Sequence, residues 1–187
     1  MRRSSPAAIS ALSRRHAIGL LGGGLAGLLV TRDVAAAALP AQRSLSFVHT
    51  HTHECLEIVY ATHAGYLAPG LQKVNELLRD FRTEQVHVID PRLLDLLYAL
   101  RRRVNGQEPY HVISGYRSPR TNASLRARSG GVARYSLHME GKAIDIRLPG
   151  VGLPVLRDGA RRLKLGGVGY YPESDFVHVD TGRVRAW

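Results

Sequence analysis

Two short segments of this chain alternate strictly between apolar and polar side chains: Ala143-Ile144-Asp145-Ile146-Arg147-Leu148 and Phe176-Val177-His178-Val179-Asp180. Side chains of a strand point to opposite faces in turn. Ile144, Ile146 and Leu148 therefore share one face, and Asp145 and Arg147 the other. In the second segment Val177 and Val179 oppose Phe176, His178 and Asp180. If the two strands pair, the apolar sets form a core face and Asp145 comes to sit beside His178. His138 lies seven residues before Asp145 on a loop ending in Gly141, and can fold back over that polar face. Two imidazoles and one carboxylate around an open position are what a catalytic zinc ion requires. His…Asp…His spacing alone is common, and its plain alternative is a buried His–Asp pair beside an unrelated surface His.

The remaining patterns read as α+β, helices first and then a small, mostly antiparallel sheet. Leu45–His53 alternates as a strand, with Leu56–Tyr60 as its hairpin partner. Pro69–Arg82 carries Leu71, Val74, Leu77, Leu78 and Phe81 at helical spacing. Asp90-Pro91 opens a second helix as cap and first residue, and Asn105-Gly106 ends it. Tyr110–Ile113 reads as a strand, 122–128 as a short basic helix and Leu153–Leu165 as a further helix. Val168–Tyr171 and Phe176–Asp180 close the sheet around a turn at 172–175. His49, His51 and His53 alternate along the first strand. They are read as the surface of an exposed edge strand in preference to a second metal site.

A single Cys, Cys55, excludes an intrachain disulfide and a cysteine-based metal site. Residues 1–37 read as an export signal. Arg14-Arg15 precedes a fourteen-residue apolar run, Ala17–Val30, and Val34–Ala38 offers small residues for cleavage. That run is shorter than a membrane span of about twenty residues. The expected product is a 38–187 domain of the periplasm or cell envelope, exported by a twin-arginine route and membrane-attached only if the signal stays uncleaved. Without residues 1–37, 21 basic and 14 acidic side chains remain. The basic residues are dispersed and lack interleaved aromatics, which argues against nucleic acid. A polyanionic envelope polymer suits the charge better. A monomer is expected.

The motifs Ser136-Leu-His138-Met-Glu-Gly141-Lys-Ala143-Ile-Asp145 and His178-Val-Asp180 resemble zinc peptidases that include the D-Ala-D-Ala metallopeptidases, hedgehog-like domains and lysostaphin-type enzymes. The resemblance is closer to the murein endopeptidase K family of exported cell-wall hydrolases. It is carried by His51-Thr-His-Glu54, Leu78-Arg-Asp-Phe-Arg82, Ile89–Asp95, Ile113-Ser-Gly-Tyr-Arg-Ser-Pro119, Gly166–Pro172 and Phe176–Trp187. It spans about Leu45 to Trp187. One departure is His53, where that family usually has Gly.

The resemblance implies a hedgehog/DD-peptidase-like fold and hydrolysis of peptide cross-links in peptidoglycan, with Zn2+ held by His138, Asp145 and His178 and peptide stems as the partner. It implies a general-base carboxylate three positions before the second His, the place of Asp175. Asp180 is the rival, although orienting an imidazole suits it better. Arg117 resembles a substrate arginine able to grip a carboxylate or an oxyanion. A wall-binding module that keeps its zinc without turnover is the alternative from another class.

Overall fold

The computed structural model describes residues 42–129 and 131–187. The segment 1–37, read as an export signal, lies outside the described residues. The described residues fall within one compact unit. Among the described residues no helix is long and apolar enough to cross a membrane.

The architecture is α+β around one sheet. Strands β1 (Gln42–His49), β2 (Cys55–Thr62) and β3 (Gly65–Tyr66) precede helices α1 (Ala68–Leu77) and α2 (Pro91–Arg103). Then follow β4 (Tyr110–Ser114), α3 (Pro119–Arg128), a 3-10 turn (Leu137–Glu140) and β5 (Ala143–Arg147). Helix α4 (Leu153–Leu163) leads to β6 (Gly167–Tyr171), β7 (Phe176–Asp180) and β8 (Arg185–Ala186). The strand order is β3-β2-β1-β4-β5-β7-β6-β8.

The expectation of a small, mostly antiparallel sheet is corrected here. The sheet has eight strands and is mixed, because β1 pairs parallel with β4 and β6 parallel with β8. Its first hairpin is not a satellite of the helices. The parallel ladder Phe47↔Tyr110 and His49↔Val112 joins it to the strands of the second half.

One face of the sheet carries the core. Leu45, Phe47, Tyr110, Val112, Ile144, Ile146, Val177 and Val179 are buried there. Helix α1 packs on β2, α2 on β1, and α4 on β6, β7 and α2. Helix α2 supplies Leu93, Leu94, Leu97 and Leu100 at i, i+1, i+4 and i+7, all fully buried. Asp90 caps it by accepting from the backbone N–H of Arg92 at 3.0 Å, with Pro91 at the first helical position. The same residue braces the far side of the molecule. Its N–H donates to Gly141 O (2.9 Å) and its Oδ2 accepts from Thr181 Oγ1 (2.8 Å).

Helix α1 stops at Leu77, five residues before the expected Arg82. Asp80 accounts for the difference. Its carbonyl accepts from the N–H groups of Thr83 and Glu84, and its carboxylate accepts from the N–H of Arg82 (3.0 Å) and of Ser118 (2.9 Å). A carboxylate offering acceptors to a tight turn competes with helix continuation. Phe81 then leaves the helical register and stacks on His51, its ring edge-on to His49.

The three alternating histidines are also placed differently from expectation. The strand ends at His49, which lies on an interior strand and is fully buried. Its Nδ1 accepts from the backbone N–H of His51 and Thr52 at 3.2 and 3.3 Å, so it stabilises the turn. His53 has φ 61°, a left-handed backbone that explains glycine at this position in the resembled family.

Candidate metal centre

The face of the sheet opposite α1, α2 and α4 carries the polar constellation. Antiparallel pairing of β5 with β7 puts Asp145 directly opposite His178, and Ala143 opposite Asp180. His138 arrives from the 3-10 turn, whose N-terminus Ser136 caps by accepting from the N–H of His138. Gly141 ends that turn at φ 64°, and a Cβ there would lie 2.1 Å from Val88 O. Only glycine combines that backbone with that approach. The loop before the turn is held by α3, where Asn122 Nδ2 donates to the carbonyls of Ala133 and Arg134.

Three ligand atoms converge. His138 Nε2 lies 3.2 Å from both Asp145 Oδ1 and His178 Nδ1, and His178 Nδ1 lies 2.9 Å from Asp145 Oδ1. All three residues are buried. Among the described residues they are the only group of three or more His, Cys, Asp or Glu able to hold a metal ion.

The surroundings fix which ring nitrogen faces the centre. His138 Nδ1 donates to Gly115 O at 2.7 Å, which leaves Nε2 as the inward lone pair. His178 Nε2 donates to Asp180 Oδ2 at 3.1 Å, which leaves Nδ1 inward. Asp180 is fully enclosed and saturated. It also accepts from the N–H groups of Gly167 (3.0 Å) and Gly182 (2.8 Å) and from both terminal nitrogens of Arg185. Inward lone pairs with outward N–H groups anchored on carbonyl and carboxylate are the donor set a metal ion needs. The residues present fit the group.

Burial and neighbouring charge act on each of the three groups. Burial alone would raise the Asp145 carboxyl, but the adjoining His138 and His178 outweigh it and hold it far below the usual carboxylate range. Burial lowers His138 despite Asp145. Burial also opposes protonation of His178, yet its bonds to Asp145 and Asp180 raise it.

Arg117 crosses the centre. Its Nη2 donates to Asp145 Oδ2 at 2.5 Å and lies 3.2 Å from His138 Nε2, while Nε donates to Ser114 Oγ. Asp175 is elsewhere in character. It sits in the β6–β7 turn at φ 53°, exposed and ion-paired with Arg147, between the cleft-lining residues Ser174 and Phe176. The structure therefore brings His138, Asp145, His178, Asp180 and Arg117 together and leaves Asp175 at the rim.

The cleft above the triad measures about 480 Å³, room for a peptide segment rather than a lone ion. Tyr171 lines it, whereas Tyr170 packs against the core under Arg157. Sequence reasoning assigned no role to Gly115, Arg185 or Trp187. For Arg185 a signal existed, a basic residue five positions after Asp180, but it depends on β8 folding back beside β6.

Comparison with known proteins identifies the family. The family model Peptidase_M15_2, described as peptidoglycan L,D-endopeptidase MepK, matches residues 37–187. A peptidoglycan L,D-endopeptidase MepK of Escherichia coli (strain K12) is 42% identical over 176 residues, covering 94% of this chain and 97% of the relative. The Shigella flexneri protein of that name gives the same figures. A probable peptidoglycan L,D-endopeptidase MepK of Haemophilus influenzae is 42% identical over 169 residues, 88% of this chain and 91% of the relative. With a conserved-length match to these proteins and a metal-competent triad in its cleft, the chain belongs to the peptidoglycan L,D-endopeptidase MepK family.

Proposed function

We propose that this protein is a zinc-dependent murein endopeptidase that hydrolyses peptide cross-links of peptidoglycan, and that residues 1–37 send it to the periplasm by a twin-arginine route. The carrying observation is the convergence of His138 Nε2, Asp145 Oδ1 and His178 Nδ1 at the floor of a cleft large enough for a peptide. The relatives' names support an L,D-amide of peptidoglycan as the bond cut.

In this reading His138, Asp145 and His178 hold the zinc ion. When bound, zinc supplies Lewis acidity toward the scissile carbonyl and makes a water nucleophilic near neutral pH. Asp180 holds the His178 ring through Nε2 and fixes its tautomer. Its four other hydrogen bonds leave it no free acceptor for a substrate proton. Exposed Asp175 is better suited as the base, taking a proton from the attacking water and returning it to the leaving amine. That role requires Asp175 to exchange its Arg147 partner for the water. Arg117 steadies Asp145 and offers its remaining N–H groups to a stem carboxylate or to the developing oxyanion.

The test is incubation of the purified protein with intact sacculi, with and without chelator, followed by mass spectrometry of released muropeptides. Chelator-sensitive loss of cross-linked dimers, absent in His178→Ala, is the expected outcome. Unchanged muropeptides from protein carrying one zinc per chain would instead indicate a wall-binding module.

A further inference from the structure

Trp187 is built into the metal cleft. Its backbone N–H donates to Val168 O (3.2 Å) and its carbonyl accepts from Tyr170 N–H (3.1 Å). Its indole Nε1–H donates to Tyr171 Oη at 2.8 Å. The Arg185 guanidinium lies 4.8 Å from the ring centroid, and the His178 ring 5.3 Å away. The ring occupies a notch at Gly169, where a Cβ would come within 2.7 Å of it. Backbone, polar edge and one neighbourhood of the ring are thus all fixed. Yet Trp187 keeps 51% of its surface exposed, and what it exposes borders the cleft.

We infer that Trp187 is a substrate-contacting residue: its indole is the platform on which a flat amide and its aliphatic neighbours in a peptide stem lie, beside the bond presented to the triad. This rests on the peptidase reading above. A large aromatic held immobile before the ligand arrives loses little entropy on contact. Its position next to His178 puts any group resting on it within one residue's reach of the triad. Arg185, held by Asp180 through both terminal nitrogens, adds a cationic contact to the indole. The platform therefore selects for planar and aliphatic surface, and Arg117 for charge.

The sequence contains one tryptophan, so indole emission reports this position alone. The zinc-loaded protein is titrated with uncross-linked peptide stems, which present no cross-link to cut. A saturable change in emission, with protection of the indole from acrylamide, is expected. An unresponsive indole at stem concentrations that inhibit turnover would overturn the proposal. With cross-linked peptides, Trp187→Ala raises KM about tenfold with a smaller change in kcat, and Trp187→Phe recovers KM to within about threefold. Circular dichroism of both variants establishes that they are folded. A loss confined to kcat would mean that the ring merely props His178, and would also overturn the platform. Stems that shield the indole of a protein unable to cut any cross-link would sink the peptidase reading and leave the platform standing.

Discussion

Asp145 and His178 are register partners across β5 and β7, and Asp145 Oδ1 lies 2.9 Å from His178 Nδ1. Asp145 is the only acid of the triad, and its Oδ2 also carries Arg117. Asp145→Asn keeps the shape and removes the charge. Metal affinity should fall by at least about 100-fold, beyond what loss of an outer partner costs. Isothermal titration with zinc measures it, and retention of wild-type affinity would exclude Asp145 as a ligand.

Asp180 and Asp175 separate by stability. Asp180→Ala leaves buried N–H groups and Arg185 unpaired, and should cost about 3–5 kcal/mol in chemical denaturation. Asp175→Asn touches only an exposed ion pair and should leave the unfolding midpoint nearly unchanged. Its kcat should fall about 100-fold or more if it is the base. An unchanged kcat in Asp175→Asn would move the base elsewhere.

Acid stability depends on Asp80. Burial alone would raise this carboxyl, but hydrogen bonds from Ser118, Thr121 and the N–H of Arg82 hold it at about 2 against an ordinary 3.8. A depressed carboxyl stabilises the fold above its unfolded pKa, and that contribution is lost as pH falls through the folded value. About 2 kcal/mol should therefore disappear between about pH 4 and 2. Urea melts of Asp80→Asn should show a lower plateau and a shallower acid slope. Parallel slopes for variant and wild type would contradict this account.

Two left-handed residues should respond in opposite directions. His53 is exposed at φ 61°, and His53→Gly should stabilise by about 0.5–1 kcal/mol because relief of the αL strain exceeds the added chain entropy. Gly141→Ala meets Val88 O and should destabilise by about 2–4 kcal/mol while displacing His138 and weakening metal binding. Thermal melts of the pair decide it. A destabilised His53→Gly would mean that the His53 side chain does more than tolerate the turn.

The legible parts of the molecule were those set by local parity. Alternation at 143–148 and 176–180 puts Asp145 and His178 on one face whatever the rest of the chain does, and the Asp90-Pro91 cap is equally local. The mixed sheet was not legible, because nothing in Gln42–His49 announces that β4, sixty residues on, pairs parallel with it. That distant partner is also why His49 is interior and not surface. The end of α1 was missed because Leu78 and Phe81 continue the helical spacing, while the Asp80 carboxylate finds Ser118, 38 residues away. Trp187 and Arg185 reach the cleft only through the β6–β8 ladder, so their place depends on tertiary pairing.

Asp90 ties together segments that the chain order keeps far apart. It starts α2, accepts from Thr181, three residues after His178, and donates to Gly141, three residues after His138. Fraying of the first turn of α2 would release both braces at once. Opening of the helical layer and loss of the ligand geometry are then a single cooperative event, so amides at the start of α2 should exchange with solvent as slowly as those of β5 and β7, and faster together when the ion is withdrawn. In a protein arranged this way the first turn of α2 and the geometry of the triad are lost together, and the opened chain is then a target for proteolysis.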